Sequence, residues 1–127
     1  MLFYTADMFA SGAPGPVEHP LLQPARQAAA AGEFSRAVVL FSSVLSSYPS
    51  SDESGIRAAV LEQLGELYTT LGDYPRALDY YLQCLGEFEE AGAYEAVAAV
   101  LHSLGVLHGM NGDYDIALGY LQRSHDL

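Results

Sequence analysis

The fold of this chain is decided by residues 64–78, which read LGELYTTLGDYPRAL. Apolar residues recur every three or four positions on both sides of Gly72-Asp73, which predicts two helices rather than strands. Gly72 can end the first helix in the left-handed conformation, and Asp73 can accept a hydrogen bond from the open N–H groups of the second. Pro75 then falls in a first turn, where its missing N–H is harmless. The segment therefore predicts a helix hairpin.

The same segment has two further copies in the chain. Forty residues later, residues 104–118 read LGVLHGMNGDYDIAL, in which Gly112-Asp113 repeats the turn. Forty residues earlier the match is degraded but keeps Gly32, Phe34 and Ala37. Self-similarity at one fixed period predicts stacked repeats, each of them a helix pair. We therefore expect helices near residues 21–31, 34–47, 54–71, 74–90, 93–110 and 114–126.

These residues resemble the tetratricopeptide repeat, in which a Leu-Gly pair, an aromatic residue, a Gly-x-Tyr turn and an alanine hold fixed places. The second copy carries them as Leu64, Gly65, Tyr68, Gly72, Tyr74 and Ala77. The period of 40 residues exceeds the usual 34 and is similar to the longer repeats of kinesin light chains and of Leu-Gly-Asn repeat adaptors.

The resemblance implies an all-α fold, an α-solenoid of three helix-turn-helix repeats wound into a right-handed superhelix. We expect the repeats at about residues 20–53, 54–92 and 93–127, after a flexible or capping segment at residues 1–19. In this family the first helices of the pairs line a concave groove that binds other proteins. The chain is therefore expected to be an adaptor or scaffold that binds a peptide or helix of a protein partner.

Position by position, the resemblance assigns the groove to eight residues of this chain. They are Arg26, Glu62, Glu66, Thr69, Thr70, His102, Val106 and Met110. Val106 and Met110 would offer adaptable apolar contact to the partner. Glu62 and Glu66 would meet a basic residue, or they form no more than a solvated helix face. Further candidates for the same surface are Leu22, Ala99 and Ser103.

Charge limits the kinds of partner. The formal net charge is −11, with five arginines and no lysine against sixteen acidic residues. Nucleic acids and anionic membranes need cationic side chains opposite their phosphates, so we expect no nucleic acid partner. The apolar residues are spread along the chain, which predicts no membrane insertion. A protein with a basic or neutral surface remains the expected partner.

The sequence favours binding over catalysis. No Ser/His/Asp set, phosphate loop or paired-carboxylate site can be assembled from these helices, so we expect neither an enzyme nor a cofactor. His102 and His108 lie six residues apart, whereas a helical metal site prefers four, so no metal is expected. Cys84 is the only cysteine and takes a small, buried repeat position. Together with a start that lacks a basic leader, it predicts a cytoplasmic protein.

A second hypothesis is that the chain is a homo-oligomerisation module whose groove is idle. The contacts would come from apolar residues of the N-terminal segment and of the last helix, namely Leu2, Phe3, Phe9, Leu118 and Leu121. The N-terminal segment could instead cap the first repeat or occupy the groove. A third hypothesis is that the chain is a fragment of a longer repeat array or the regulatory region of a larger signalling protein.

Overall fold

The computed structural model describes residues 19–52 and 54–127, and within these ranges the chain forms six α-helices. Their bounds are α1 Leu22–Ala30, α2 Phe34–Ser46, α3 Ile56–Thr70, α4 Tyr74–Ala91, α5 Tyr94–Met110 and α6 Tyr114–His125. The predicted helices are confirmed in number and order, and no predicted end differs from the observed one by more than two residues. The all-α fold is confirmed with them.

A glycine in the left-handed conformation joins the two helices of each pair. Gly32, Gly72 and Gly112 have φ angles of 79°, 79° and 87°, a region that glycine adopts at little cost. In the second pair the Asp73 carboxylate accepts a hydrogen bond from the backbone N–H of Arg76 at 3.3 Å, as predicted. Glycine and cap together end one helix and begin the next.

The same capping prediction is wrong for Asp113. Its side chain caps no backbone N–H of α6. Instead, the carboxylate accepts a hydrogen bond from the Asn111 side-chain amide at 3.2 Å and lies 3.6 Å from Nδ1 of His108. The second pair has Leu71 and Tyr68 at those two places, and neither carries a side-chain N–H. The Asn111 amide therefore competes with the backbone of α6 for the Asp113 carboxylate.

The core runs through all three helix pairs. Each helix packs against its neighbours in the chain, both within a pair and between successive pairs. One buried cluster joins the first and second pairs and includes Phe41, Val44 and Leu64. The other joins the second and third pairs and includes Tyr81 and Leu101. Since a helix pair covers its apolar side only with the help of its neighbours, the stack forms one helical-repeat solenoid.

The 40-residue period reappears in the side-chain packing. Tyr68 stacks on Tyr80 with ring centroids 5.6 Å apart. Forty residues later His108 stacks on Tyr120 with ring centroids 5.4 Å apart. A histidine thus replaces a tyrosine in the third pair and keeps the stacked arrangement, because both rings are flat and aromatic. The sequence period is therefore a period of contacts as well as of helices.

Arg57, in the first turn of α3, connects the loop between α2 and α3 to α4. Its guanidinium pairs with Glu87 of α4 and donates a hydrogen bond to the backbone carbonyl of Tyr48. The backbone N–H of Arg57 also donates to the Asp52 carboxylate at 3.1 Å. These contacts fix the start of α3, and with it the direction in which α3 presents its exposed side.

Candidate protein-binding groove

Six of the predicted groove residues lie along the solvent-facing sides of α3 and α5. They are Glu62, Glu66 and Thr70 on α3 and His102, Val106 and Met110 on α5. A spacing of four residues keeps neighbours on the same side of a helix. Each of the three positions on α3 recurs 40 residues later on α5, so the two helices present equivalent surfaces. We call these six residues the first-helix face.

The remaining predicted residues are placed less uniformly. Arg26 is exposed on α1, and Ala99 is exposed on α5. Thr69 and Ser103 are half-buried, and each donates its hydroxyl hydrogen to a backbone carbonyl one turn earlier in its own helix. The suggestion that Leu22 lines the groove is wrong, because its side chain is buried in the core. The other buried residues of α1 are alanines, so Leu22 supplies that helix with its large core contact.

Tyr81 of α4 lies beneath the first-helix face, between α3 and α5. Its side chain is only 3% exposed, and this burial raises the pKa of its hydroxyl. The side chains of Thr69 and Ser103 act in the opposite direction and lower this pKa. The charges of Glu66 and Glu62 add to the rise.

No role was assigned to Tyr81 from the sequence. Its ring packs in the core cluster of the second and third pairs. Its position beneath the first-helix face depends on how α3, α4 and α5 pack together, which a repeat pattern does not specify.

Glu62 and Glu66 form the negative part of the face. Burial raises the pKa of both carboxyl groups, and repulsion from Glu66 raises the pKa of Glu62 further. In residues 19–52 and 54–127 the ion pairs involve other carboxylates, and neither glutamate has a cationic partner. A carboxylate that has lost part of its water without gaining a cation is destabilised, and a cationic ligand would relieve that cost.

Val106 and Met110 form the apolar part of the face. Their side chains are 44% and 54% exposed, respectively. An unbranched methionine can adapt its shape to many partners, and exposed apolar side chains rimmed by polar ones are typical of protein interaction surfaces. The face therefore combines unneutralised negative charge on α3 with adaptable apolar surface on α5.

A second apolar surface lies on the last helix. Tyr114, Ile116 and Leu118 of α6 are exposed, whereas Leu78, which precedes Leu118 by 40 residues, packs partly buried against the core. Leu121 is half-buried. The other residues predicted for self-association, Leu2, Phe3 and Phe9, lie outside the described residues.

Two other kinds of feature are missing from the part of the chain that the structure describes. No three His, Cys, Asp or Glu side chains are grouped there as a metal ion would require. None of the helices described combines the length and the apolar character needed to cross a lipid bilayer.

The sequence matches a known protein family. The sequence model of the tetratricopeptide repeat family matches residues 53–127, more than half of the chain. The matched range contains α3 to α6 and therefore the whole first-helix face. The degraded first copy lies outside it, although α1 and α2 form the same kind of helix pair. No curated protein sequence matches the chain.

Proposed function

Because this chain belongs to the tetratricopeptide repeat family, whose repeats generally mediate protein–protein interaction, we propose that it is an adaptor or scaffold module. It binds a peptide or helix of a partner protein on the first-helix face. The observation that carries the proposal is the composition of that face, in which Glu62 and Glu66 lack a cation among the described residues while Val106 and Met110 are exposed on α5.

Both parts of the face are more readily explained by a ligand than by folding. Exposed apolar side chains contribute little to the stability of the isolated chain but give contact area to a partner. Partly desolvated carboxylates oppose folding and favour a ligand that neutralises them. The proposal includes a repeat of the long type, supported by the 40-residue period, and a cytoplasmic location, supported by the lone buried Cys84.

Site-specific photo-crosslinking tests the proposal directly. Val106 is replaced by p-benzoylphenylalanine, and Val39 is replaced in the same way as a matched control, because it is an exposed valine on α2, away from the face. After irradiation in cell extract, crosslinked partners are identified by mass spectrometry. We expect a protein that is crosslinked through position 106 and not through position 39. Equal crosslinking from both positions would contradict the proposal.

A point variant gives an independent measurement with the partner so identified. Met110→Asp places a charge in the apolar part of the face, and Val39→Asp makes the same change of charge elsewhere. We expect Met110→Asp to weaken binding at least about tenfold, because an aspartate buried at an interface loses water without gaining a partner. Both variants should keep the circular dichroism spectrum of the native chain. Unchanged binding by Met110→Asp would exclude the face as the site.

Self-association is the second candidate function, favoured by the exposed Tyr114, Ile116 and Leu118 of α6. In this alternative a second copy of the chain covers the surface of α6, as α5 covers the surface of α4. Sedimentation equilibrium over a wide range of concentrations would give a dimer mass that Leu118→Asp reduces to that of the monomer. A monomer at all concentrations would exclude this alternative and leave the adaptor proposal unaffected.

A further inference from the structure

We infer that the partner presents an arginine side chain to Glu62 and Glu66, together with an apolar residue that packs on Val106 and Met110. The inference rests on the proposed function, because it names the chemistry of the segment that the first-helix face binds. It commits to a basic and apolar protein segment rather than to an acidic or purely apolar one.

The first step is the geometry of the two carboxylates. Glu62 and Glu66 are one helical turn apart on the same side of α3, a spacing that brings side chains within about 5–6 Å of each other. A guanidinium group is flat and carries five N–H donors, so it can donate to two carboxylates at once. A lysine ammonium is a point charge without this fork and is held less strongly in such a place.

The second step is that none of the ion pairs among the described residues neutralises the two carboxylates. In the described part of the chain Arg57, Arg76 and Arg123 form ion pairs with carboxylates other than Glu62 and Glu66. The chain has no lysine, and residues 1–18 contain neither arginine nor lysine. The N-terminal segment therefore has no cationic side chain to offer, and a basic partner is the occupant that complements the charge.

The third step is the surroundings of the pair. Glu62 is half-buried and Glu66 is exposed, and both carboxylates influence the buried hydroxyl of Tyr81. An ion pair formed beside such a buried group is less screened by water than one on an open surface, and it is correspondingly stronger. The net charge of −11 also attracts a basic segment before contact and raises its rate of association.

The fourth step is the apolar neighbour. Val106 occupies on α5 the position that Glu66 occupies on α3, and Met110 follows it by one turn. A segment that crosses from α3 to α5 therefore meets negative charge first and apolar surface next. The arginine and the apolar residue of the partner must point to the same side of the segment, as alternate residues of an extended chain do.

A defined set of peptides tests the inference even before a natural partner is identified. Each probe is a short acetylated and amidated Gly/Ser peptide that carries one arginine and two leucines at varied separations. A matched set replaces the arginine by citrulline, which has nearly the same shape but no charge, and another replaces it by lysine. Binding is measured by fluorescence anisotropy to the native chain and to Glu62→Gln, Glu66→Gln and Asp79→Asn. Asp79 is an exposed carboxylate on α4, so its variant changes the charge equally away from the face.

We expect the best arginine peptide to bind at least about tenfold more tightly than its citrulline counterpart, and more tightly than its lysine counterpart. The advantage over citrulline should disappear in Glu62→Gln and Glu66→Gln and persist in Asp79→Asn. Equal binding of arginine and citrulline peptides, an advantage that survives both glutamine variants, or no binding by any arginine peptide would each overturn the inference.

The two proposals fail in different ways. If the peptides do not distinguish arginine from citrulline while position 106 still crosslinks a partner, the first-helix face binds proteins but not through an arginine. If position 106 crosslinks nothing that position 39 does not, the proposed function itself is wrong. The inference would also be contradicted if the crosslinked partner were a second copy of this chain that binds the face without using an arginine side chain.

Discussion

Nε of Arg57 lies 2.7 Å from Oε2 of Glu87, and both side chains are only 15% exposed. The ion pair joins the first turn of α3 to the last part of α4, and the same guanidinium holds the backbone carbonyl of Tyr48. One residue thus connects the inter-repeat loop to both helices of the second pair. Because the pair is mostly withdrawn from water, loss of either partner leaves the other charge poorly compensated.

The first prediction concerns the strength of this connection. Arg57→Ala is expected to lower the free energy of unfolding by about 2–3 kcal/mol, because it leaves Glu87 without its cation and the Tyr48 carbonyl without a donor. Urea unfolding followed by circular dichroism measures the loss. The control is Arg76→Ala. Arg76 pairs with Asp73, and their side chains are 67% and 33% exposed. Loss of this more exposed ion pair should lower the free energy of unfolding by only about 0.5 kcal/mol. Equal losses in the two variants would contradict a special role for Arg57.

The second prediction concerns the close approach of α3 and α4 at Gly65. A Cβ atom added to Gly65 would lie 2.8 Å from Cε1 of Tyr81, which is closer than atoms of real side chains come. Since Tyr81 is held in the core, Gly65→Ala is expected to lower the free energy of unfolding by about 1–3 kcal/mol.

Gly86 provides the matched control for this prediction. It lies within α4, and a Cβ atom there would meet nothing within 4 Å. Gly86→Ala should therefore raise the free energy of unfolding by up to about 1 kcal/mol, through helix propensity alone. The unfolding temperature and the urea midpoint should fall in Gly65→Ala and rise in Gly86→Ala. Stabilisation by Gly65→Ala would mean that the Tyr81 ring does not pack on this glycine.

Helices and turns of this chain could be predicted because local residues decide them. Gly72 with Asp73 ends one helix and begins the next through bonds within a few residues, and the 40-residue period places the same turn at Gly112. The period wrongly predicted a side-chain cap at Asp113. The Asp113 carboxylate instead accepts a hydrogen bond from the Asn111 amide and lies near His108, and a repeat pattern carries no information about such a competition.

Contacts between distant residues could not be predicted in the same way. Arg57 and Glu87 are 30 residues apart and occur in one copy of the repeat, so no periodicity indicates their pairing. Similarly, the position of Tyr81 beneath the first-helix face depends on the packing of three helices. The residues predicted for the groove stay predictions for function, although exposure of Val106 and Met110 agrees with the surface position assigned to them.

The third prediction concerns the thiol of Cys84. Burial is the main cause that raises the pKa of this thiol to about 12, and the side chain is fully buried. At about pH 8 the reactive thiolate is therefore scarce and shielded, so Ellman's reagent should not label the native chain. Labelling should begin in urea together with the loss of helical circular dichroism. Immediate labelling of the native chain would show that this part of the core opens freely.

The fourth prediction concerns the pH dependence that Glu62 gives to stability. In the folded chain its pKa lies above the ordinary value of 4.5, mainly through burial and also through repulsion from Glu66. The folded state thus holds this proton more tightly than the unfolded state, and stability from this group is lost as pH rises through the raised pKa. Glutamine resembles the protonated side chain and carries no charge at any pH. Glu62→Gln should therefore stabilise the chain at about pH 7, and the gain should vanish below about pH 4.5.

The stability difference between the native chain and Glu62→Gln is measured from their urea midpoints at several pH values. Asp79→Asn is the control, because it shows how much the loss of an exposed carboxylate alone changes the stability. Glu62 also influences the hydroxyl of Tyr81 and the thiol of Cys84, and neither of them is changed in the comparison. Glu66→Gln should lower the pKa of Glu62, because it removes the repulsive charge, and NMR titration of the Glu62 carboxyl carbon measures that shift. If Glu62→Gln instead destabilises the chain at about pH 7, the Glu62 carboxylate already has a compensating partner within the chain. A cation from a binding partner would then not be needed to stabilise it.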